Sequence, residues 1–358
     1  MNRSHKLFTL LLLVAFAGTA SARVTGTTSK ALESRPASLI QGDNSLEAVR
    51  RADLEARSGA GSSQLSAAEH LRRGQVYLTN RAFEEARAHF LAIVQQYPTD
   101  TNVPAALFGV GRSYFLPHFY EQSLAYFERV AREFPQTKDG REGLNSSAAA
   151  LLRMGRAAEA VARYREYVEK YPRGERIDSV YLNIIDGLRE AGQPQEAINW
   201  IARTREKFPR TVTERNAMFA RLRLDVAEGD WNHALAAADE LRQTPLVGFG
   251  LMTSYTEIAY LRAYSLERAG RAEEAISAYM AIPDTAESYF GSLATARLLR
   301  LVDASRRTQV TARLSRVQAE IASAASLYPA PFREQVLRAS LARKLDPRLV
   351  LAIMKQES

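Results

Sequence analysis

The sequence contains no cysteine, so an exported protein with this sequence folds without disulfide bonds. It has no grouped basic tract either, because the formal net charge of +8 is spread along the chain. Scattered charge is typical of solvated helix faces, and without an arginine-rich or zinc-finger pattern it disfavours nucleic acid as a ligand. What remains is the composition of an ordinary globular protein, with room in 358 residues for two or so domains.

The first 22 residues have the pattern of a secretory leader. Arg3 and Lys6 form a charged start, residues 7–17 are apolar, and Ala20-Ser21-Ala22 is a small-residue cleavage signal. The apolar run is shorter than the roughly 20 residues of a membrane span, and no cysteine is present for a lipid anchor. The sequence therefore predicts a bacterial periplasmic protein, exported and cleaved after Ala22, with no stable membrane span afterwards.

Residues 23–64 have the composition of a flexible linker. They contain Thr25-Gly26-Thr27-Thr28-Ser29 and Gly59-Ala60-Gly61-Ser62-Ser63, which favour turns over packed structure. A short helix is predicted within this linker over residues 46–56.

Residues 65–327 repeat with a period of 37. Pro98, Pro135, Pro172 and Pro209 are each 37 residues apart, and Pro245 follows after 36. A second series of small residues keeps the same period: Ala86, Ser123, Ala160, Ala197 and Ala234, with Ala275 after 41. Two independent markers with one period predict a helical solenoid of six stacked units.

Each unit is predicted to be a pair of helices. In the third unit these run over residues 141–154 and 157–170, with Gly155 at the turn. Gly192, Gly229 and Gly270 occupy the same turn position in later units. The first two units have no glycine there and carry Arg81 and Pro117-His118 instead. The pattern resembles tetratricopeptide repeats, which implies that the small residues allow close helix approach and that aromatic residues fill the grooves. These aromatic residues are Phe90, Phe127, Tyr164 and Tyr279.

Other distinctive residues favour structural interpretations. The histidines show no paired ligand spacing, so metal binding is not predicted. Trp200 and Trp231 are predicted to pack between helices in preference to stacking on sugars. Gly248-Phe249-Gly250 marks a loop of about a dozen residues, which is either a contact site or only an insertion. Two more helices are predicted over residues 285–301 and 308–327.

Residues 328–358 resemble the opening of the catalytic domain of soluble lytic murein transglycosylases. The entry is Tyr328-Pro329-Ala330-Pro331-Phe332, followed by a helix that ends near Lys344-Leu345. A second helix begins at Asp346-Pro347, a good cap followed by a tolerated proline. Its matching positions are Leu345, Asp346, Pro347, Leu349, Val350, Ala352, Ile353, Gln356, Glu357 and Ser358.

The resemblance implies that Glu357 is the single catalytic acid/base, with Ser358 as an orienting, substrate-binding hydroxyl. In such enzymes the glutamate protonates the glycosidic oxygen between N-acetylmuramic acid and N-acetylglucosamine. It then takes a proton from the C6 hydroxyl, which closes a 1,6-anhydro ring. No cofactor or metal is implied. The later motifs of that domain have no counterpart here, so we expect the chain to be part of a longer product and inactive alone.

The predicted fold class is therefore all-α: a tetratricopeptide-like solenoid followed by two helices of an incomplete lysozyme-like domain. The implied partner is the peptidoglycan glycan strand, with envelope proteins as further partners of the repeats. The alternative is a non-enzymatic periplasmic scaffold whose repeats bind envelope proteins, since a solenoid offers a long surface suited to an extended ligand.

Overall fold

A computed structural model describes residues 45–57, 64–327, 332–343, 345, 350 and 353 of the chain. All of the regular secondary structure among these residues is helical. The helices are α1 (Leu46–Arg57), α2 (Ala67–Thr79), α3 (Phe83–Gln96), α4 (Val103–Phe115), α5 (Tyr120–Glu133), α6 (Lys138–Arg153), α7 (Ala157–Lys170), α8 (Ile177–Glu190), α9 (Pro194–Lys207), α10 (Val212–Glu228), α11 (Trp231–Gln243), α12 (Tyr255–Arg268), α13 (Ala272–Met280), α14 (Tyr289–Leu301), α15 (Ala304–Leu327) and α16 (Arg333–Ala342).

Helices α2 to α13 form six hairpins that stack in chain order, which confirms the predicted solenoid of helix pairs. Each hairpin has a first helix (α2, α4, α6, α8, α10 and α12) and a second helix. Each first helix contacts the second helix of its own hairpin, and successive hairpins contact each other. Helix α14 continues the series by packing on α12 and α13, and α15 packs on α14.

The residues before the periodic prolines end the second helices. Tyr97, Phe134, Tyr171 and Phe208 are the C-caps of α3, α5, α7 and α9, with φ between −131° and −123°. A residue before proline is pushed out of the helical region by the proline ring, and each of these aromatic residues has left it, with ψ between 49° and 63°. The proline period is therefore the period of helix ends.

The turns inside the hairpins require a left-handed residue. Gly155, Gly192, Gly229 and Gly270 have φ between 69° and 78°, the conformation that glycine adopts without strain. At the two predicted departures the same conformation is kept by other residues, Arg81 at φ 61° and His118 at φ 73°. The turn geometry is therefore the same whether or not glycine occupies it.

The core alternates small and aromatic side chains as predicted. Every small marker residue from Ala86 to Ala275 is fully buried, and Phe90, Phe127, Tyr164 and Tyr279 are at most 1 % exposed. The ring of Phe90 lies so close to Gly74 and Gly109 that a Cβ atom on either would approach it within 2.7 Å. This aromatic ring therefore fills the groove between α2 and α4 of neighbouring hairpins.

Three predicted helix starts differ from the structure, each because of a capping side chain. Helix α6 begins at Lys138, three residues before the predicted start, where the Thr137 hydroxyl accepts a hydrogen bond from Gly140 N. Helix α14 begins four residues late, after the Ser288 cap. Helix α15 begins four residues early, where the Asp303 carboxylate accepts from Arg306 N.

The short helix of the linker and the two tryptophans agree with the predictions. Helix α1 lies where a short helix was predicted in the linker, and its Val49 packs against the first hairpin. Trp200 is buried against Tyr181, as expected for a packing residue, and Trp231 is half-buried beside Tyr264. None of the described helices is long and apolar enough to cross a membrane.

Candidate functional site

The two residues predicted to carry out chemistry, Glu357 and Ser358, lie outside the described residues. The helix predicted from Asp346 is described only at Val350 and Ile353, both of which are helical. The roles of Glu357 and Ser358 therefore stay predictions, and the candidate site described below is in the repeats.

Several first helices of neighbouring hairpins contact one another directly. Helix α2 contacts α4, α4 contacts α6, α8 contacts α10, and α12 contacts α14. We call the surface formed by α2, α4, α6, α8, α10, α12 and α14 the first-helix surface. Since each unit of a solenoid repeats the same placement, this surface runs along the stack and suits an extended ligand.

Two arginines meet on this surface between α8 and α10. Arg189 and Arg223 both line a crevice of about 10 Å³, the space of one water molecule, together with the apolar side chains of Ile185, Ala220 and Leu224. Both arginines are half-buried. Arg223 lies over the ring of Phe219, with Cζ 5.7 Å from the ring centroid. The crevice thus brings two arginines and the acidic side chain of Asp186 together beside apolar side chains.

Neither guanidinium has a hydrogen-bond partner among the described residues. Arg189 approaches Asp186 only at 3.5 Å and Glu190 at 3.9 Å, and its Nε is buried without a partner. Arg223 makes no ion pair within the described part of the chain. Some other half-buried arginines are paired closely, as in Arg262 Nε to Asp239 at 2.6 Å, whereas the Nε atoms of Arg165 and Arg215 are, like that of Arg189, buried without a partner among the described residues.

The charges around Arg223 only partly compensate it. Burial, and next the positive charge of Arg189, lower the pKa of Arg223, while Asp186 and Glu257 act in the opposite direction. Burial also raises the pKa of Glu257, whose carboxylate accepts a hydrogen bond from the Thr253 hydroxyl at 3.0 Å. Asp186 also lines the crevice and forms an ion pair with Arg189 at 3.5 Å, so acidic side chains lie beside both arginines.

A second polar cluster joins α1 to the first hairpin. The Asp53 carboxylate accepts hydrogen bonds from Tyr77 Oη at 2.5 Å and from Arg73, and lies 3.1 Å from His89 Nε2. His89 Nδ1 is in turn 2.9 Å from His70 Nδ1. No group of three or more histidine and acidic residues that could hold a metal ion occurs in the described ranges. This cluster docks α1 and is better explained as structural.

The loop predicted around Phe249 is present between α11 and α12. The ring of Phe249 is 98 % exposed, and Val247 and Met252 beside it are also exposed. The buried side chain of Asn216 holds the loop in place by donating to Gly250 O at 3.0 Å and accepting from Met252 N at 2.9 Å. The sequence marked the loop by its glycines but gave no sign of this anchor.

The arginine pair was not predicted from the sequence. Arg189 and Arg223 are 34 residues apart on different helices, and only the way α8 packs on α10 brings them together. Arginine is common in this chain, so the only available signal was the repeat period itself, which places α8 and α10 in equivalent positions.

Comparisons with known proteins agree with this fold. A family model described as tetratricopeptide repeat matches residues 147–173, which cover the C-terminal part of α6 and the whole of α7. No curated protein matches the chain. The crystal structure of the apo form of RapI is similar at 12 % identity and a TM-score of 0.50, over 77 % of this chain and 81 % of that one.

Two further solved structures are similar with lower scores. A tetratricopeptide repeat protein from Parabacteroides merdae ATCC 43184 has 11 % identity and a TM-score of 0.47, over 69 % of this chain and 98 % of that one. PilW, described as a widely conserved type IV pilus biogenesis factor, has 15 % identity and a TM-score of 0.44, over 61 % and 92 % of the two chains. Together with the hairpins described above, the family match identifies the fold of this chain as a tetratricopeptide-like helical solenoid.

Proposed function

We propose that this protein is a tetratricopeptide-type binding scaffold of the bacterial envelope, which holds an extended segment of a partner protein on its first-helix surface. The observation that carries the proposal is the stack of six hairpins, whose first helices place half-buried charged side chains such as Arg189 and Arg223 on that surface. A solenoid keeps its packing residues buried and exposes a long row of variable side chains, an arrangement suited to elongated ligands.

Export to the periplasm is part of this proposal. It rests on the leader pattern of residues 1–22, with its basic start, apolar run and small-residue cleavage signal. Cell fractionation with an antibody against the repeats tests it, because a periplasmic protein is released by osmotic shock after loss of the leader. Retention in the spheroplast fraction at full length would contradict export.

The scaffold proposal is tested by capture experiments with the whole chain from envelope extracts. We expect a defined envelope protein to be retained by the wild type and lost with Arg223→Ala on α10. The matched control is Arg203→Ala on the second helix α9, a substitution that removes the same charge. Arg203 lies over the ring of Trp200, with Cζ 5.3 Å from the ring centroid. Equal loss with both variants, or no specific partner for the wild type, would refute binding by the first-helix surface.

We propose as a second function that the chain belongs to a peptidoglycan lytic transglycosylase, a carbon–oxygen lyase with Glu357 as its acid/base. The observation that favours it is the fixed register of residues 345–358 with the opening of such a catalytic domain. A carboxyl group that acts first as acid and then as base needs a raised pKa in an apolar setting. The cut would fall on the β-1,4 bond and leave 1,6-anhydro-N-acetylmuramic acid.

The test of this second proposal uses a product that continues past Ser358 into the rest of a lysozyme-like domain. Such a protein should release anhydromuropeptides from purified peptidoglycan, measured by mass spectrometry. Glu357→Gln should abolish release while helical circular dichroism stays unchanged, and Ser358→Ala should reduce it. Unchanged release with Glu357→Gln would remove Glu357 from the catalytic role.

A further inference from the structure

We infer that the loop between α11 and α12 is a separate docking site, which inserts the ring of Phe249 into an apolar pocket of a folded partner protein. We call residues 244–254 the Phe249 loop. It connects two hairpins, so it lies at the end of the hairpins opposite the turns that join first and second helices. It is not part of the first-helix surface, and the inference therefore goes beyond the proposed binding of an extended segment.

The first step is that the Phe249 loop exposes apolar side chains that the fold does not use. Phe249 is 98 % exposed, the highest value of any large apolar side chain among the described residues. Val247 and Met252, close to it in the loop, are 62 % and 44 % exposed. A single apolar residue on a surface is common, but several on one short loop form a patch of the kind found at interaction sites.

The second step is that the stack of hairpins does not require this loop. The equivalent loops after α3, α5, α7 and α9 are shorter, and none of them carries an exposed large apolar side chain. They are residues 97–102, 134–137, 171–176 and 208–211. Since a short polar connection closes these junctions, neither the length nor the apolar residues of the Phe249 loop are explained by folding.

The third step is that the Phe249 loop is ordered before any partner binds. The buried side chain of Asn216 on α10 donates to Gly250 O and accepts from Met252 N. A Cβ atom on Gly248 would collide with the side chain of Val212, so the loop lies directly on α10. Such a loop does not lose further conformational entropy on binding. A fixed ring orientation is useful for entering a shaped pocket, whereas a fluid lipid surface accepts a ring in any orientation. The anchor therefore favours a folded protein over a membrane.

The fourth step is the charge of the partner surface. The Phe249 loop contains no charged side chain, although 25 % of the whole chain is charged. Charged groups around the partner's pocket would lose water on contact with this loop without gaining an opposite charge. The complementary surface is therefore an apolar pocket for one aromatic ring with an uncharged rim.

A second copy of this chain is a poor partner for the ring. The groove formed by α5, α6 and α7 is large enough, at about 330 Å³, but its rim is charged. The crevice between α8 and α10 has room for only about 10 Å³. The charged side chains of the larger groove are Glu128, Arg132, Arg163, Glu166 and Lys170.

The test places the photo-cross-linking amino acid p-benzoylphenylalanine at position 249 of the whole chain, produced in its native host. We expect one discrete cross-linked protein, in which the attached residue, mapped by peptide mass spectrometry, lines an apolar pocket of a folded domain. The matched control carries the same probe in place of Tyr289, which is 65 % exposed and lies outside the loop, and it should not give this product. The same product from both positions, a cross-linked pair of this chain, lipid adducts alone or no product would each overturn the inference.

Binding to the identified partner is then measured with purified proteins by isothermal calorimetry. Phe249→Ala should weaken binding about 30-fold or more, the effect of a hot-spot residue, with an unchanged melting temperature because the ring is exposed. Phe119→Ala is the matched control, since this ring is 51 % exposed at the turn between α4 and α5, and it should leave binding unchanged. Unchanged binding of Phe249→Ala would overturn the docking site.

Asn216 is expected to act as a positioning residue for Phe249. Asn216→Ala should weaken binding while Phe249 is present and have no further effect in the double variant with Phe249→Ala, because the anchor matters only through the ring. Losses that add in the double variant would remove this role from Asn216.

These outcomes are separable from those of the capture experiment. Arg223→Ala should leave the cross-link at position 249 unchanged, because Arg223 lies on the first-helix surface. If the cross-link forms and no partner depends on Arg223, the docking site stands and the proposed use of the first-helix surface is wrong. If Arg223→Ala abolishes the cross-link, the Phe249 loop is not a separate docking site.

Discussion

Helix α1 is held on the first hairpin by one carboxylate, and Asp53→Asn should release it. The side chain of Asp53 is 12 % exposed and that of its partner Arg73 is 9 % exposed, so their ion pair is largely removed from water. Asparagine keeps the shape but loses the charge that Arg73, Tyr77 and His89 share.

The size of the effect follows from which partners remain. Breaking a buried pair by removing one charge typically costs about 3 to 5 kcal/mol. Arg73 keeps a second pair with Glu69 at 2.7 Å, so we place the loss for Asp53→Asn at about 2 to 3 kcal/mol. The loss should be local, because α1 packs on the first hairpin and a solenoid transmits stability only between neighbours.

Amide hydrogen exchange measures this loss directly. The amides of residues 46–57 should lose protection in Asp53→Asn, while those of α12 and α13 stay as in the wild type. Glu47→Gln on the same helix is the control, since the pair of Glu47 with Arg51 is exposed at 86 % and 68 % and contributes at most about 1 kcal/mol. Equal exchange in the two variants would refute the reasoning that burial gives Asp53 its effect.

Three further predictions concern stability. Burial, and next the charge of His89, lower the pKa of His70, so the native state resists its protonation and stability should fall as the pH drops below about 6.5; urea unfolding across this range should show a weaker pH dependence for His70→Gln. Gly192→Ala should cost about 1 to 2 kcal/mol in urea unfolding, because φ is 69° and no neighbour lies within 4 Å of the new Cβ, so only backbone strain acts. Arg313→Met should cost about 3 to 5 kcal/mol, measured by thermal unfolding of the whole chain, because it leaves the buried Asp284 carboxylate without its cation; an unchanged melting temperature would contradict this.

The repeat could be predicted because its markers are packing contacts. Ala160 and Tyr164 are spaced by one helical turn and are both buried, so the residues that define the sequence pattern are the residues of the core. Helix starts were predicted less well, because a single capping side chain such as Thr137 or Ser288 decides them. A cap depends on one hydrogen bond, and the 37-residue period does not indicate where that hydrogen bond forms.

The polar clusters could not be predicted, for a different physical reason. His70 and His89 are 19 residues apart, and Arg189 and Arg223 are 34 apart, so no spacing along one helix relates them. Whether two such side chains meet depends on the register of one helix against another and on their burial. Both quantities arise only after the hairpins have packed.

The repeat period nevertheless indicates where binding specificity is placed. Positions one period apart lie side by side in a solenoid, and the small-residue position is fully buried in every unit. The position of Arg223 behaves in the opposite way: none of its equivalents is buried, and their chemistry changes from unit to unit. These equivalents are Arg112, Ala149 and Asp186 before it and Tyr264 after it.

A position that is never buried is free of the packing constraint that fixes the small-residue position. It can therefore carry a cation in one unit, an acid in another and an aromatic ring in a third without any change to the fold. A ligand lying along the first-helix surface would meet this sequence of groups in order. Recognition by this protein would then depend on the order of side chains at one repeat position, where Asp186 and Arg223 place opposite charges in neighbouring units.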